Sequence, residues 1–320
     1  MLIKTKPQLR TQASMAGRVC VITGANSGVG FETAKRCAQG GAHVVMVCRN
    51  EERGQAAKRE VEKVAKGPVD LVCSDLSVMA DVRSLAKTLL DKYPQIHVLV
   101  NNAGLHSTTR STTADGFETT FAVNHLAPFL LTLLLLDRLK ASAPARIINV
   151  SSQGHRFGGL DLNDLNWDKR MYRGLKAYGA SKTANMFFTW ELADKLRGTG
   201  VTVNAVHPGE VKTQIGRDNG KLWHAFHDNV VSRLLKDASL SGEALYYHAA
   251  SPELANVTGR FFNMTLEEKP HAHAMPRPNR PLAKMVWLLS ERLTGLAAPQ
   301  TTKEAPVAPR ASSSRSSKTV

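Results

Sequence analysis

A chain of 320 residues with 42% hydrophobic but only 6% aromatic content can bury the aliphatic core of one large α/β domain. Its formal charge of +15 raises nucleic acid as a partner, but the two ends supply seven of those charges. The body carries no nucleic-acid module and no aromatic–basic stacking pattern, so nucleic acid is excluded.

The N-terminus, MLIKTKPQLRTQASMAG, holds Lys4, Lys6 and Arg10 without an acid. It has no apolar core region, so it is not read as a secretory signal. Residues 1–16 read as a basic extension, 17–295 as a single domain, and 296–320 as a disordered basic tail. Within the domain, RVCVITG (18–24), AHVVMVCR (42–49), VDLVCSDL (69–76), IHVLVNNAG (96–104), ARIINVSS (145–152) and VTVNAVHPG (201–209) read as strands, and GRFFN (259–263) as a seventh. Helices fall between them. GFETAKRCAQGG closes on Gly40 and Gly41, and EERGQAAKREVEKVAKG and VMADVRSLAKTLLDKY follow. A long helix is expected over 115–140 and another over 176–197. FLLTLLLL (129–136) is too short to span a bilayer and reads as a buried helix. The chain therefore reads as cytoplasmic, with the basic extension available for peripheral contact with a membrane. Cys20, Cys37, Cys48 and Cys73 lack metal-type spacing and read as reduced, on buried elements.

Strict alternation of strand and helix implies a doubly wound α/β fold: a parallel sheet of about seven strands with helices on both faces. Ligands in such a sheet sit beyond the carboxyl ends of the strands. After the first strand comes TGANSGVG, whose Gly24, Gly28 and Gly30 allow a tight turn and close approach of a pyrophosphate to a helix N-terminus. After the second comes Arg49, where an acid would hold the ribose of NAD. An arginine suits a 2′-phosphate, which favours NADP(H) over NAD(H). Asp75 and Leu76 follow the third strand and would meet the adenine. Asn101 to Gly104 follow the fourth, where small residues let a ribose lie close.

The helix after the fifth strand carries KAYGASKTANMFF. Tyr178 and Lys182 stand one turn apart on one face. An ammonium beside a phenol lowers the tyrosine's pKa and readies it as a general acid or base. Tyr172 has Lys176 four positions on but no accompanying Ser-Lys pair, and is set aside. His155 and Arg156 follow the fifth strand and are candidates for substrate contact. His271 and His273 have no supporting carboxylate or cysteine and read as a solvated loop rather than a metal site.

TGxxxGxG (23–30), NNAG (101–104), the Asn of FAVNHLAPF, the Ser of INVSS, YxxSK (178–182) and PG (208–209), in that order, resemble the short-chain dehydrogenase/reductase family. The resemblance covers residues 17 to about 290 and implies a Rossmann fold. TGANSGVG, VCRN and TTFAVNHLAPFLLTLLLL are similar to the retinol dehydrogenase and WW-domain oxidoreductase-like group; no WW domain is visible. By resemblance, Tyr178 is the proton donor or acceptor, Lys182 lowers its pKa and holds the nicotinamide ribose, and Ser152 binds the substrate oxygen. Asn124 holds a water that links Lys182 to solvent. The resemblance further implies cofactor contacts at Gly24, Asn26, Ser27, Gly28, Val29, Gly30, Ala103, Gly104, Pro208, Gly209, Val211 and Thr213.

Two departures stand out. The 26-residue separation of Ser152 from Tyr178 is long for the family, and Ala127-Pro128 replaces a small-polar pair and bears on the start of the long helix. The segment at about 210–240, with Trp223 and Phe226, reads as an apolar lid for a lipophilic carbonyl compound or as a packed helix. The expected function is NADP(H)-dependent alcohol–carbonyl interconversion. The alternative is a nucleotide-binding interaction protein with little turnover. Homo-oligomers built on the long helices are common in the family.

Overall fold

The β-branched runs form strands because both of their faces are covered. In β1 (Val19–Thr23), Cys20 and Ile22 face one apolar layer and Val21 the other. In β2 (His43–Cys48), Val44 and Met46 oppose Val45 and Val47 in the same way. The structure is a computed structural model and describes residues 8–209, 238–267 and 279–296.

β3 (Val69–Cys73), β4 (Val98–Asn101), β5 (Ala145–Val150), β6 (Val201–His207) and β7 (Phe261–Asn263) complete a parallel sheet. The order is β3-β2-β1-β4-β5-β6-β7, and a short antiparallel strand, β8 (Leu266–Glu267), closes the edge. That last strand is too short to read from the sequence. One face is covered by α1 (Gly28–Gln39), α2 (Glu51–Glu62) and α8 (Ser239–Ala250). The other is covered by α3 (Met79–Lys92), α5 (Ala127–Leu134), α7 (Gly174–Lys195) and α9 (Arg280–Leu293). The strand order reverses between β1 and β4, which opens a crevice at the carboxyl ends of the strands.

The single long helix expected over 115–140 is instead broken into pieces. A turn, α4 (Thr119–Phe121), leads into a π-helical segment, Ala122–Leu126, before α5 begins. The chain breaks again at Leu135 before α6 (Leu136–Ala141). The cause of the first break is Pro128. It has no N–H for the ordinary bond to the residue four back, and the Ala127 N–H reaches back to the Ala122 carbonyl.

Residues 8–16 of the basic extension pack on the body. Met15 is fully buried, its N–H bonds the Gly40 carbonyl, and the Leu9 N–H bonds Thr265 Oγ1. Cys20, Cys37 and Cys48 are buried free thiols, whereas Cys73 is exposed at the end of β3. The expected lid (210–237), His271 and His273, and the C-terminal tail from residue 297 lie outside the described residues. No helix among the described residues is long and apolar enough to cross a membrane.

Candidate active site

A cleft of about 340 Å³ runs along the carboxyl ends of the strands. Gly24 (φ +66°) and Gly28 (φ +55°) turn the chain in the left-handed region between β1 and α1, which a side chain would strain. Gly30 lies so close beneath the turn that a Cβ there would overlap the Gly24 carbonyl and the Asn102 amide. Asn102 Nδ2 donates to the Thr23 carbonyl at 2.8 Å, and Thr23 Oγ1 accepts from the Asn102 and Ala103 N–H groups at 3.0 Å each. The ends of β1 and β4 are thereby sewn together under the turn. Ser27 caps α1 without a side-chain hydrogen bond, and the first turn holds no acid. The first-turn residues Gly28, Val29 and Gly30 line the cleft with no side chain capping their amides, as a phosphate site requires.

Asn26, Ser27, Gly28, Val29 and Gly30 line this end together with exposed Arg49. Asp75 and Leu76 line the wall after β3. Asp75 accepts from the N–H and hydroxyl of Ser77 at 2.9 and 2.8 Å, which fixes the loop. Ala103, Gly104, Pro208 and Gly209 line the middle. Asn101 does not reach the cleft. Its amide is buried and donates to Thr132 Oγ1 and Asn149 Oδ1. Asn102 takes the wall position instead. Strand parity explains the swap, since successive residues face opposite sides. Val211 and Thr213 lie outside the described residues.

At the far end, Ser152, Tyr178 and Lys182 meet. Ser152 follows β5, and Tyr178 and Lys182 come from α7. Ser152 Oγ accepts from the Gly154 N–H at 2.9 Å and shares a hydrogen bond with the Tyr178 hydroxyl. A Cβ on Gly154 would stand 2.6 Å from the Tyr178 ring, so only glycine lets the ring sit over this turn. Burial pushes the Tyr178 hydroxyl up, and the Ser152 bond pulls it partway back. This differs from the lowering expected from the helical spacing alone. Lys182 Nζ donates to the Val150 carbonyl at 2.9 Å and stands 5.5 Å from the ring centroid. Burial pushes Lys182 itself down to about 8.

Asn124 lies in the π-helical segment, buried beside the catalytic end. Its side chain clamps Leu105: Oδ1 accepts the Leu105 N–H at 2.8 Å and Nδ2 donates to the Leu105 carbonyl at 2.9 Å. Nδ2 also donates to Ser181 Oγ at 3.0 Å. Its two amide hydrogens are thus committed to protein partners.

Two residues near the site were not legible in the sequence. Gly154 sits under the Tyr178 ring, and His106 packs its ring edge-on to Tyr178 at 5.8 Å between centroids. Neither has a spacing that marks it, although His106 directly follows NNAG and Leu105. His155 is buried against Phe261, and its Nδ1 bonds the Ser152 carbonyl, so it supports the turn. Arg156 is exposed. Tyr172 bonds Glu118 Oε1 at 3.1 Å, with burial and that carboxylate pushing it up to about 12. It braces the 152–178 connection away from Ser152.

The family model described as short chain dehydrogenase matches residues 18–221. Human retinol dehydrogenase 13 is 39% identical over 294 residues, covering 90% of this chain and 88% of that protein. Human retinol dehydrogenase 12 is 41% identical over 292 residues, covering 90% and 89%. Among solved structures, an uncharacterized protein from Mycobacterium paratuberculosis superposes with a TM-score of 0.71 at 34% identity, covering 88% of this chain and 95% of that one. A protein described as an NAD(P)-dependent gluconate 5-dehydrogenase from Beutenbergia cavernae, with bound NADP, gives 0.62 at 26% identity, covering 78% and 96%.

Proposed function

The chain belongs to the short-chain dehydrogenase family, in its retinol dehydrogenase-like group, and is an oxidoreductase acting on a CH–OH group with NAD(P); from that premise we propose that it uses NADP(H) to interconvert an alcohol and a carbonyl on a lipophilic substrate. The observation that carries the reading is one cleft with a phosphate-type helix N-terminus at one end and Ser152, Tyr178 and Lys182 at the other. The glycine turn, the uncapped first turn of α1 and the small residues of NNAG fit a dinucleotide laid along the strand ends. Arg49 lines the cleft at the end of β2, where an acid would hold the ribose of NAD, and a guanidinium there suits a 2′-phosphate. The 26%-identical Beutenbergia cavernae structure, with its bound NADP, lends support. A lipophilic substrate follows from the retinol dehydrogenases among the relatives.

A dinucleotide held by the glycine turn, Gly104 and Lys182 would supply hydride chemistry at the substrate carbon. Ser152 Oγ donates a hydrogen bond to the substrate oxygen and holds it beside Tyr178. Tyr178 Oη gives that oxygen a proton in reduction and takes one in oxidation. A phenol held above its ordinary value is protonated at neutral pH, the form that can donate to a substrate oxygen. Lys182 binds at the ribose end of the cleft and supplies positive charge near the phenol. Asn124 fixes the Leu105 backbone at that end, and its Oδ1, which accepts one hydrogen bond there, keeps a lone pair for the relay water.

Peripheral membrane contact belongs to the same reading, because a lipophile partitions into bilayers. One domain is read over 17–295, with the segment at about 210–240 as its expected substrate loop, 296–320 as a tail, and 1–16 as an extension that docks on the body from residue 8. Self-association through the long helices belongs to the same reading; on their inner side Trp287 of α9 packs on Phe129 of α5 and Phe188 of α7.

The test is a fluorescence titration with NADPH and with NADH, followed by a panel of lipophilic aldehydes and ketones. Tyr178→Phe should bind NADPH as the wild type does and lose about 10²-fold or more of turnover. NADH preference would refute the role of Arg49. Undiminished turnover in Tyr178→Phe would refute the mechanism, and cofactor binding without turnover on any carbonyl would favour a nucleotide-binding interaction protein.

A further inference from the structure

The π-helical segment that carries Asn124 is itself held from outside. In a regular helix, the N–H four residues on would bond the Asn124 carbonyl, but that residue is Pro128. The carbonyl is buried and would otherwise lose a partner. Asn185, three residues after Lys182 on α7, supplies one: its Nδ2 donates to the Asn124 carbonyl at 2.8 Å.

The rest of the network has only one consistent direction. A carbonyl only accepts, so the amide of Asn185 must turn Nδ2 toward Asn124 and Oδ1 toward His125 Nδ1, 3.1 Å away. His125 is fully buried, and burial pushes it down to about 4, so the ring is neutral. Its Nδ1 therefore carries the hydrogen, and its Nε2 lies 2.8 Å from Ser290 Oγ of α9, whose single hydrogen also has the Val286 carbonyl in reach at 2.7 Å. At the other end, Asn124 grips both backbone groups of Leu105. The chain of donors runs from His125 through Asn185 of α7 to Asn124, and from Asn124 to the loop after β4. Leu105, Gly104 and Val123 line the cleft. A Cβ on Gly104 would stand 3.2 Å from Asn124 Oδ1 and 3.6 Å from Lys182 Nζ, so this loop is fitted against both.

We propose that Asn185 is a positioning residue for the nicotinamide end of the cleft: by taking the place of the N–H that Pro128 lacks, it fixes Asn124, and Asn124 fixes the Leu105–Gly104 wall. The inference rests on the dinucleotide reading above. It separates the two ends of the cleft, since Arg49 and the glycine turn are built from β1, β2 and α1, which Asn185 does not touch.

The experiment titrates the purified full-length chain with NADPH and with 2′,5′-ADP, which carries only the adenine half. In Asn185→Leu, NADPH affinity should fall about tenfold or more, the scale set by outer-shell partners of bound groups. The affinity for 2′,5′-ADP should stay at the wild-type value. Asn185→Ala, which removes the same donor without added bulk, should repeat the split if leucine prevents folding. A lowered melting temperature with unchanged NADPH affinity would overturn the inference, because the residue would then be merely structural. Equal loss of both ligands would overturn it as well. The wild-type titration tests the dinucleotide reading by itself: a wild type that binds, with variants that match it, sinks only the role of Asn185.

Discussion

Lys182 is a cation held where water reaches it poorly, and that has a measurable cost. Its side chain is buried and its pKa is pushed from 10.5 to about 8, a displacement equivalent to about 3 kcal/mol. Below pH 8 the lysine is charged in both folded and unfolded states and the full cost is present. Between about pH 8 and 10.5 the unfolded chain holds more protons than the folded one, so stability rises with pH. Lys182→Met should therefore stabilise the fold at pH 7 by about 2 kcal/mol, after about 1 kcal/mol is lost at the unpaired Val150 carbonyl. The same change should abolish turnover if Lys182 has the role proposed. Urea unfolding at pH 7 and pH 10 checks the sign. A variant no more stable at pH 7, or equally advantaged at both pH values, would show that burial of the ammonium is not the cost. The Tyr178–Lys182 spacing was legible because helical geometry follows from residue count. The upward push on Tyr178 was not, because it depends on burial by elements distant in sequence. Asn101 and Asn102 show the same limit: the motif identified the place, and only the strand's parity decided which amide reaches the cleft.

At the scale of elements, the approach of α1 to the ends of β1 and β4 decides whether a phosphate site exists. Gly30 is the point of contact, buried inside the first turn of α1 and directly against the Gly24 carbonyl and the Asn102 side chain. In Gly30→Ala the methyl group meets backbone on one side and a hydrogen-bonded amide on the other. The helix must tilt away, the Asn102–Thr23 bonds must stretch, and the amides of the first turn must leave their aim. The expected result is a loss of about 1–3 kcal/mol in stability with a much larger loss of NADPH affinity, read by fluorescence titration and thermal melting. Wild-type affinity in that variant would mean that the helix N-terminus does not hold the phosphates. The strands and the helices between them were largely legible, since β-branched runs between glycine and charge clusters leave few alternatives. The broken helix was not read as broken: a proline flagged the place, but the π-helical turn depends on Asn185 from α7 to satisfy the carbonyl that is released. α8 and α9 were not read as helices. α9 turns one face inward, with Ala283, Val286 and Trp287 buried, and leaves Met285 and Leu288 exposed.

For the whole molecule, part of the positive charge lies in the same segment as exposed apolar side chains, just before Tyr178. Phe157, Met171 and Leu175 are 50%, 74% and 53% exposed. Two of them lie close to Tyr178: Gly179, one residue after it, packs under Phe157, and Leu175 lies one helical turn before Gly179. Exposed Arg156, Lys169, Arg173 and Lys176 are interleaved with them. The nearby acids are engaged, with Asp168 paired to Arg110 and both Asp161 and Asp164 to Arg170. Exposed apolar side chains with exposed cations among them in the sequence leading to Tyr178 suit an anionic bilayer, where each basic residue near the surface contributes about 1 kcal/mol. The chain should co-sediment with vesicles containing phosphatidylserine and much less with neutral phosphatidylcholine. The binding should fade as salt shortens the screening length. Joint replacement of Phe157 and Leu175 by serine and of Lys176 by glutamate should weaken vesicle binding while leaving NADPH affinity unchanged, since none of the three lines the cofactor cleft. Equal binding to neutral and anionic vesicles would remove the electrostatic part of the argument. Undiminished binding by the triple variant would move the membrane contact to the basic ends of the chain, away from the segment before Tyr178.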